Sequence, residues 1–212
     1  MISLWTAPTA NSQKVTVLLE LLELHYELIW VDLAAGEHLA PDFLRINPVG
    51  RVPVIAEPDL DQPLYGTLAI SQYLAEKTGR LMPKGLPKRA RVQQWAAILA
   101  SDLSPALSGQ YYFSTLYPTT DASVVDLFVQ TSHRLLEVMD RQLAASDFLA
   151  GDALSIADTL GYPVAANSVQ RLDGGLSGYD HIRRWCDALS GMSAVQRGMA
   201  AGLGQSEDQA AS

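Results

Sequence analysis

The spacing of apolar residues changes along the chain, and each change marks a different kind of element. Ile2 to Trp5 is a short apolar run of strand type, ended by the turn at Pro8. From Ser12 to Leu24 the period lengthens, with Val15, Leu18, Leu19 and Leu22 recurring at the spacing of one helix face. The β-rich run ELIWVDL, residues 27–33, has the length of a second strand. Strand, helix and strand within about thirty residues predict a βαβ unit with parallel strands.

Residues 36–50, GEHLAPDFLRINPVG, read as a loop with a short helical piece, closed by Asn47-Pro48 and Gly50. RVPVIAE, residues 51–57, is a strand broken by Pro53, and proline cannot donate to a ladder. A cis Val52–Pro53 bond solves this and leaves the Val52 backbone to pair with something external. QPLYG, residues 62–66, is a further strand, and Thr67 to Lys77 a helix ended by Gly79. The prolines, Gly85 and basic residues of RLMPKGLPKRA, residues 80–90, read as a linker.

From Ala90 onward the periodicity is helical, without a convincing strand. RVQQWAAILASDL, residues 91–103, and VVDLFVQTSHRLLEVMDRQLAA, residues 124–145, are amphipathic. Ser155 to Asp158 has the spacing of a capping box, with Ser155 placed to accept from the Asp158 amide. A last helix is expected over Ile182 to Ala188. The predicted layout is an α/β domain over 1–78, a linker over 79–89, an all-helical domain over 90–202 and a flexible tail over 203–212.

Composition narrows the partners. The 212 residues are 48% hydrophobic and carry a net charge of −8, enough for a core and the wrong sign for nucleic acid or an anionic membrane. Small molecules and proteins remain. One cysteine, Cys186, excludes an intrachain disulfide and a thiol cluster for a metal, and fits a reducing compartment. No basic start precedes an apolar run at the N-terminus, and no apolar stretch nears the roughly 20 residues that span a bilayer. The expectation is a cytoplasmic protein.

Several segments together resemble the glutathione transferase family, over nearly the whole chain. NPVGRVPVI, residues 47–55, looks like the family's Asn-Pro-x-Gly-x-Val-Pro signature. LAISQYLAEKTG, residues 68–79, is similar to the helix after its γ-glutamyl site, and FLAGDALSIAD, residues 148–158, to its capping-box segment. APTANSQKV and GEHLAPDFLRINP look like the bacterial nu-class and fungal prion-related branch, whereas WAAILASDLSPAL looks like the bacterial beta class. The resemblance implies a thioredoxin-like first domain, an all-helical second one, a homodimer, and glutathione as co-substrate between the two domains, without a metal.

It also implies roles for particular residues. In the nu-like pattern a threonine and an asparagine flank the glutathione thiol, and Thr9 and Asn11 match. The beta-class cysteine falls near Asn11, so a mixed disulfide with that side chain is impossible here. Trp5 stands where many relatives carry tyrosine, which removes a phenolic donor. The structural reading of Asn11 is a helix N-cap, and of Thr9 a turn residue. Val52, before Pro53, would align the cysteinyl backbone by strand addition. His38 and Arg51 lie near the glycyl end; otherwise they belong to a solvated charged face.

At the γ-glutamyl end Thr67 would take the ligand carboxylate at a helix N-terminus. The preceding family residue is usually an acid that meets the ammonium, and Gly66 has no side chain to do so. Asp102 matches a beta-class residue that reaches the neighbouring subunit's site and is the candidate substitute; otherwise it is a surface aspartate. Tyr111, Tyr112 and Phe113 would line a pocket for a flat hydrophobic substrate, or belong to the core. His133 and His181 lack metal-ligand spacing, and Cys186 reads as a buried apolar residue.

Two functions compete. One is a glutathione-dependent enzyme that conjugates a hydrophobic electrophile or reduces a small disulfide. The other is a protein of the same fold that binds glutathione weakly or not at all, as a regulator or with a pocket turned to another ligand. Gly66 is the feature that favours the second.

Overall fold

The computed structural model describes residues 1–119, 121–201 and 203; residues 204–212, nearly all of the expected tail, lie outside the described residues. The chain divides into two units, one of Met1–Arg80 with the chain from Gly191 onward, the other Leu81–Ser190.

The first unit opens with β1 (Ile2–Thr6), α1 (Ala10–Leu22) and β2 (Tyr26–Trp30), continues through α2 (Pro41–Ile46), β3 (Val54–Ala56) and β4 (Leu64–Tyr65), and reaches α3 (Thr67–Thr78). The sheet order is β2-β1-β3-β4, with β1 and β2 parallel and the other pairs antiparallel. The parallel pair is what a helical crossover requires. Strand β3 is shorter than the apolar run that encodes it, because Pro53 has no amide for the ladder; the Val52–Pro53 bond is cis. Leu4, Val54 and Ile55 are fully buried between the strands and the helices.

Helix α1 is buried from Ser12 to Leu19, including Gln13, Lys14 and Thr16, which the apolar period assigns to the outer face. For Gln13 and Thr16 the reason is α9 (Ser193–Ala200), a helix that the sequence pattern did not separate from the second domain and that packs along α1. The first unit therefore recovers the C-terminal helix, and the helical unit stops at Ser190 instead of residue 202. Polar side chains seal the contact: Gln13 Nε2 donates to the Met199 carbonyl at 3.0 Å and Thr16 Oγ1 to the Gly198 carbonyl at 2.6 Å.

Gly198 makes the approach possible. A Cβ there would lie 2.4 Å from Val17 Cα and 2.6 Å from its nitrogen, both backbone atoms that cannot swing away. Gly198→Ala is expected to lower stability by about 2–3 kcal/mol through overpacking, despite alanine's better helix propensity. A guanidinium titration reads this as a lower midpoint, and an unchanged midpoint would show that α9 shifts outward without loss.

The second unit contains α4 (Leu86–Ile98), α5 (Ser104–Tyr111), α6 (Ala122–Ala144), α7 (Ile156–Pro163) and α8 (Asp180–Ser190). Helix α4 begins inside the expected linker, since Pro87 falls in its first turn, where a missing amide is harmless. Helix α7 is buried on every side. Its capping box forms: Asp158 Oδ2 accepts from the Ser155 amide at 2.9 Å and the Ser155 hydroxyl at 3.0 Å. Wider turns interrupt the helices at Leu99–Leu103, Tyr112–Leu116 and Val164–Ser168. Among the described residues no helix is long and apolar enough to cross a membrane.

Candidate functional site

The sheet register decides which segments meet. Trp5 pairs with Val54 and Val54 with Tyr65, while Thr6 pairs with Trp30. The chain leaving β1, β2 and β4 and the chain entering β3 therefore gather at one end of the sheet. That end brings together Thr9 and Asn11 after β1, His38 after β2, Val52 and Pro53 before β3, and Gly66 and Thr67 after β4.

The first of these segments is a helix N-terminus. Thr9, in extended backbone at φ −133°, caps α1 by accepting from the Ser12 amide at 3.1 Å. The cap is thus Thr9, and the N-cap reading of Asn11 is corrected: Asn11 lies inside the first turn with its side chain exposed. Capping favours Thr9 because its extended backbone aims the hydroxyl back at the turn. The Thr9 hydroxyl also donates to Ser12 Oγ at 3.2 Å, and Ser12 Oγ accepts from the Ala7 amide at 3.3 Å. Asn11 Oδ1 accepts from Lys14 Nζ at 2.9 Å. The amides of Ala10 and Asn11 have no carbonyl within the helix to bind, so they present partial positive charge. Ser12 and Lys14 were not among the expected site residues; both read as ordinary helix positions, and both are buried in the fold.

Trp5 packs against the buried cluster of Val31, Phe43 and Val54, so it serves the core. The half-buried Val52 lies outside the ladder, and among the described residues no hydrogen bond within the chain uses its amide or carbonyl. Arg51 is exposed, and its carbonyl accepts from Asn47 Nδ2 at 2.6 Å, which fixes the turn before β3. Gly50, at φ +63°, lies so close to His38 that a Cβ would come within 3.2 Å of its carbonyl oxygen. His38 and the Arg51 turn are thereby neighbours. His38 Nδ1 is buried without a hydrogen-bond partner among the described residues.

Gly66 precedes α3 at φ +86°, a backbone that side-chain-bearing residues rarely adopt, and a Cβ there would meet nothing within 4 Å. Thr67 opens α3, so its amide has no intrahelical partner and its hydroxyl sits at the same positive end.

The remaining expected residues belong to the second unit. Asp102 is exposed in the wide turn Leu99–Leu103 and accepts from the Ser101 hydroxyl at 2.6 Å. The Tyr111 ring carries the Arg171 guanidinium 4.2 Å from its centroid, an electrostatic contact with the π face. Tyr112 stacks on Tyr117 at 6.0 Å and Phe113 on Phe128 at 5.8 Å, and both are exposed. His133 Nδ1 meets the Tyr179 hydroxyl at 2.8 Å. Cys186 is half-buried, and burial pushes its thiol pKa up to about 12, far from the thiolate a nucleophile needs.

Comparison with known proteins supplies what geometry cannot. Residues 10–77 match the glutathione S-transferase N-terminal domain, and residues 96–191 its C-terminal domain. The disulfide-bond oxidoreductase YfcG of Escherichia coli is 35% identical over 92% of this chain and 93% of its own length. A second E. coli disulfide-bond oxidoreductase, YghU, is 31% identical over 93% of this chain and 73% of its own. A Burkholderia graminis glutathione transferase, solved with two glutathione molecules bound per subunit, superposes with a TM-score of 0.89. It is 29% identical and covers 95% of this chain and 88% of its own.

Proposed function

The chain belongs to the glutathione S-transferase family, and from that premise we propose that it is a glutathione-dependent reductase of small disulfides. The observation that carries the reading is the α1 N-terminus. It offers Thr9, Asn11 and unpaired helix amides to an anionic sulfur, and no protein thiol or phenol. The two disulfide-bond oxidoreductases similar to it, and the relative with two bound glutathione molecules, agree with that chemistry.

Without a protein cysteine at the site, both electrons come from glutathione. One glutathione thiolate attacks a sulfur of the disulfide, forming a mixed disulfide and expelling a thiolate. A second glutathione thiolate attacks the glutathione sulfur of that intermediate, giving glutathione disulfide and expelling the other half. The two protons lost by the glutathione thiols end on the two product thiolates. Thr9 and Asn11 hold the first sulfur as its anion, and Val52 pairs with the cysteinyl backbone. Thr67 takes the γ-glutamyl carboxylate, while His38 and Arg51 attract the glycyl one. The site residues span β1, β3 and β4, two strand spacings or about 10 Å, close to the reach of an extended tripeptide. Tyr111, Tyr112 and Phe113 are the proposed contacts for apolar substrate groups. The same thiolate would conjugate a hydrophobic electrophile.

Asp102 of a partner copy is the proposed counter-charge for the γ-glutamyl ammonium in a homodimer. A reducing compartment such as the cytoplasm would supply the reduced glutathione.

The test is turnover of a small hydroxyalkyl disulfide with millimolar glutathione, beside a chloronitroarene electrophile. Disulfide reduction exceeding conjugation is the expected result; a folded protein inactive with both would overturn the proposal. Gly66 favours a second reading, a family member with weakened glutathione binding. Thermal unfolding with and without millimolar glutathione separates them, because a native-state ligand raises stability by RT ln(1 + [L]/Kd).

A further inference from the structure

We propose that Lys14 is a positioning residue that fixes which end of the Asn11 amide faces the glutathione sulfur. The inference rests on the glutathione-dependent reading above and extends it to a residue that would not touch the ligand.

Lys14 is an unusual lysine: only 1% of it is exposed, although a lysine is almost never fully buried without a partner. Its Nζ donates to Asn11 Oδ1 at 2.9 Å from the next helical turn, and Oδ1 is not its sole partner. The chemistry of the pair is directional. An ammonium has donors only, so it binds the oxygen end of an amide and never the nitrogen end. With Oδ1 held from inside the fold, Nδ2 is turned away from Lys14, and Asn11 is exposed. Burial lowers the Lys14 pKa to about 8, so at neutral pH the group is still mostly an ammonium and the selection operates.

The outcome matters because the two ends of an amide act oppositely on an anion. Nδ2–H donates to a thiolate and stabilises it, whereas Oδ1 would repel it. Among the described residues, no other hydrogen bond of the exposed Asn11 side chain chooses between these orientations. Lys14 makes the choice before any ligand arrives, as preorganised electrostatic stabilisation requires.

The test uses Lys14→Met, which keeps the aliphatic stem and removes the donor, together with Asn11→Ala and the double variant. Lys14→Met is expected to lower kcat for disulfide reduction about tenfold, the effect of losing one charge-assisted donor, with glutathione KM changed less than about twofold. The absorbance of bound thiolate at neutral pH should fall in parallel. In the Asn11→Ala background the same change should cost less than about twofold, because the group it acts through is gone. Additive losses, or an unchanged kcat, would overturn the positioning role.

The orientation is also readable without turnover. In the unmodified protein the Asn11 side-chain amide protons should give no strong nuclear Overhauser contact to the Lys14 ε-methylene; a strong one would overturn the assignment. A protein with the Oδ1–Lys14 orientation but no glutathione turnover would instead sink the functional reading and leave the orientation standing.

Discussion

Asp158→Ala is expected to destabilise the helical unit by about 4 kcal/mol or more, since it removes the acceptor of a buried network. Asp158 is fully buried, and its two oxygens hold four donors. Oδ1 takes the Leu149 amide at 2.9 Å and the Trp185 indole N–H at 3.0 Å, while Oδ2 takes the Ser155 amide at 2.9 Å and hydroxyl at 3.0 Å. One side chain thus joins the chain before α7, the cap of α7 and the face of α8. Alanine would leave the Leu149 amide, the Ser155 amide and the indole buried without partners, each costing roughly 1–3 kcal/mol. Burial pushes the Asp158 pKa up, and the four donors oppose it. Asp158→Asn separates the two influences. If the group is held as a carboxylate, one amide end faces two donors with a donor of its own, and the loss approaches that of alanine. Denaturant titrations of both variants give the comparison; an asparagine variant as stable as the parent would mean that the carboxyl folds protonated.

Gly66→Glu should tighten glutathione binding tenfold to a hundredfold while weakening the free protein. The two effects arise from different atoms. A glutamate at this turn restores an anion for the γ-glutamyl ammonium, a charge-assisted contact of about 1.5–3 kcal/mol. There is room for it, because a Cβ at Gly66 meets nothing within 4 Å. The backbone at φ +86° is less accommodating, and a residue with a side chain held there costs about 1–3 kcal/mol of stability. That strain is present with and without ligand, so it lowers the unfolding temperature of the free protein and leaves the gain in affinity intact. Calorimetric titration together with thermal unfolding resolves both. A tighter complex identifies the turn as a γ-glutamyl site that has lost its charge. Binding left unchanged in a folded variant, with Asp102→Asn also without effect, would remove Thr67 and Gly66 from the proposed site. If a partner copy's Asp102 already supplies the anion, Asp102→Asn should weaken binding in the parent and much less in the glutamate variant.

The residues that made the fold legible were those whose meaning is local. The apolar period of α1, the proline that cuts β3 short and the Ser155–Asp158 spacing each act within one or two turns of chain. Thr9 and Asn11 were legible as a pair, but their roles were not, because either residue type caps a helix well. Only the backbone geometry at Thr9 decided between them. Asp102 was visible as a charge, yet the use proposed for it requires a second copy of the chain.

The sequence by itself determined that an α/β unit precedes a helical one, and where the glycines, prolines and caps punctuate them, since periodicity and turn chemistry are properties of neighbouring residues. Tertiary structure alone decided that Ser193–Ala200 returns to α1, that Gly198 must stay small, and that Lys14 is buried beneath Asn11. The Thr16–Gly198 bond joins residues 182 positions apart. No periodicity encodes such a contact: it exists because a helix with two buried faces needs a second cover, and the chain's far end supplies it.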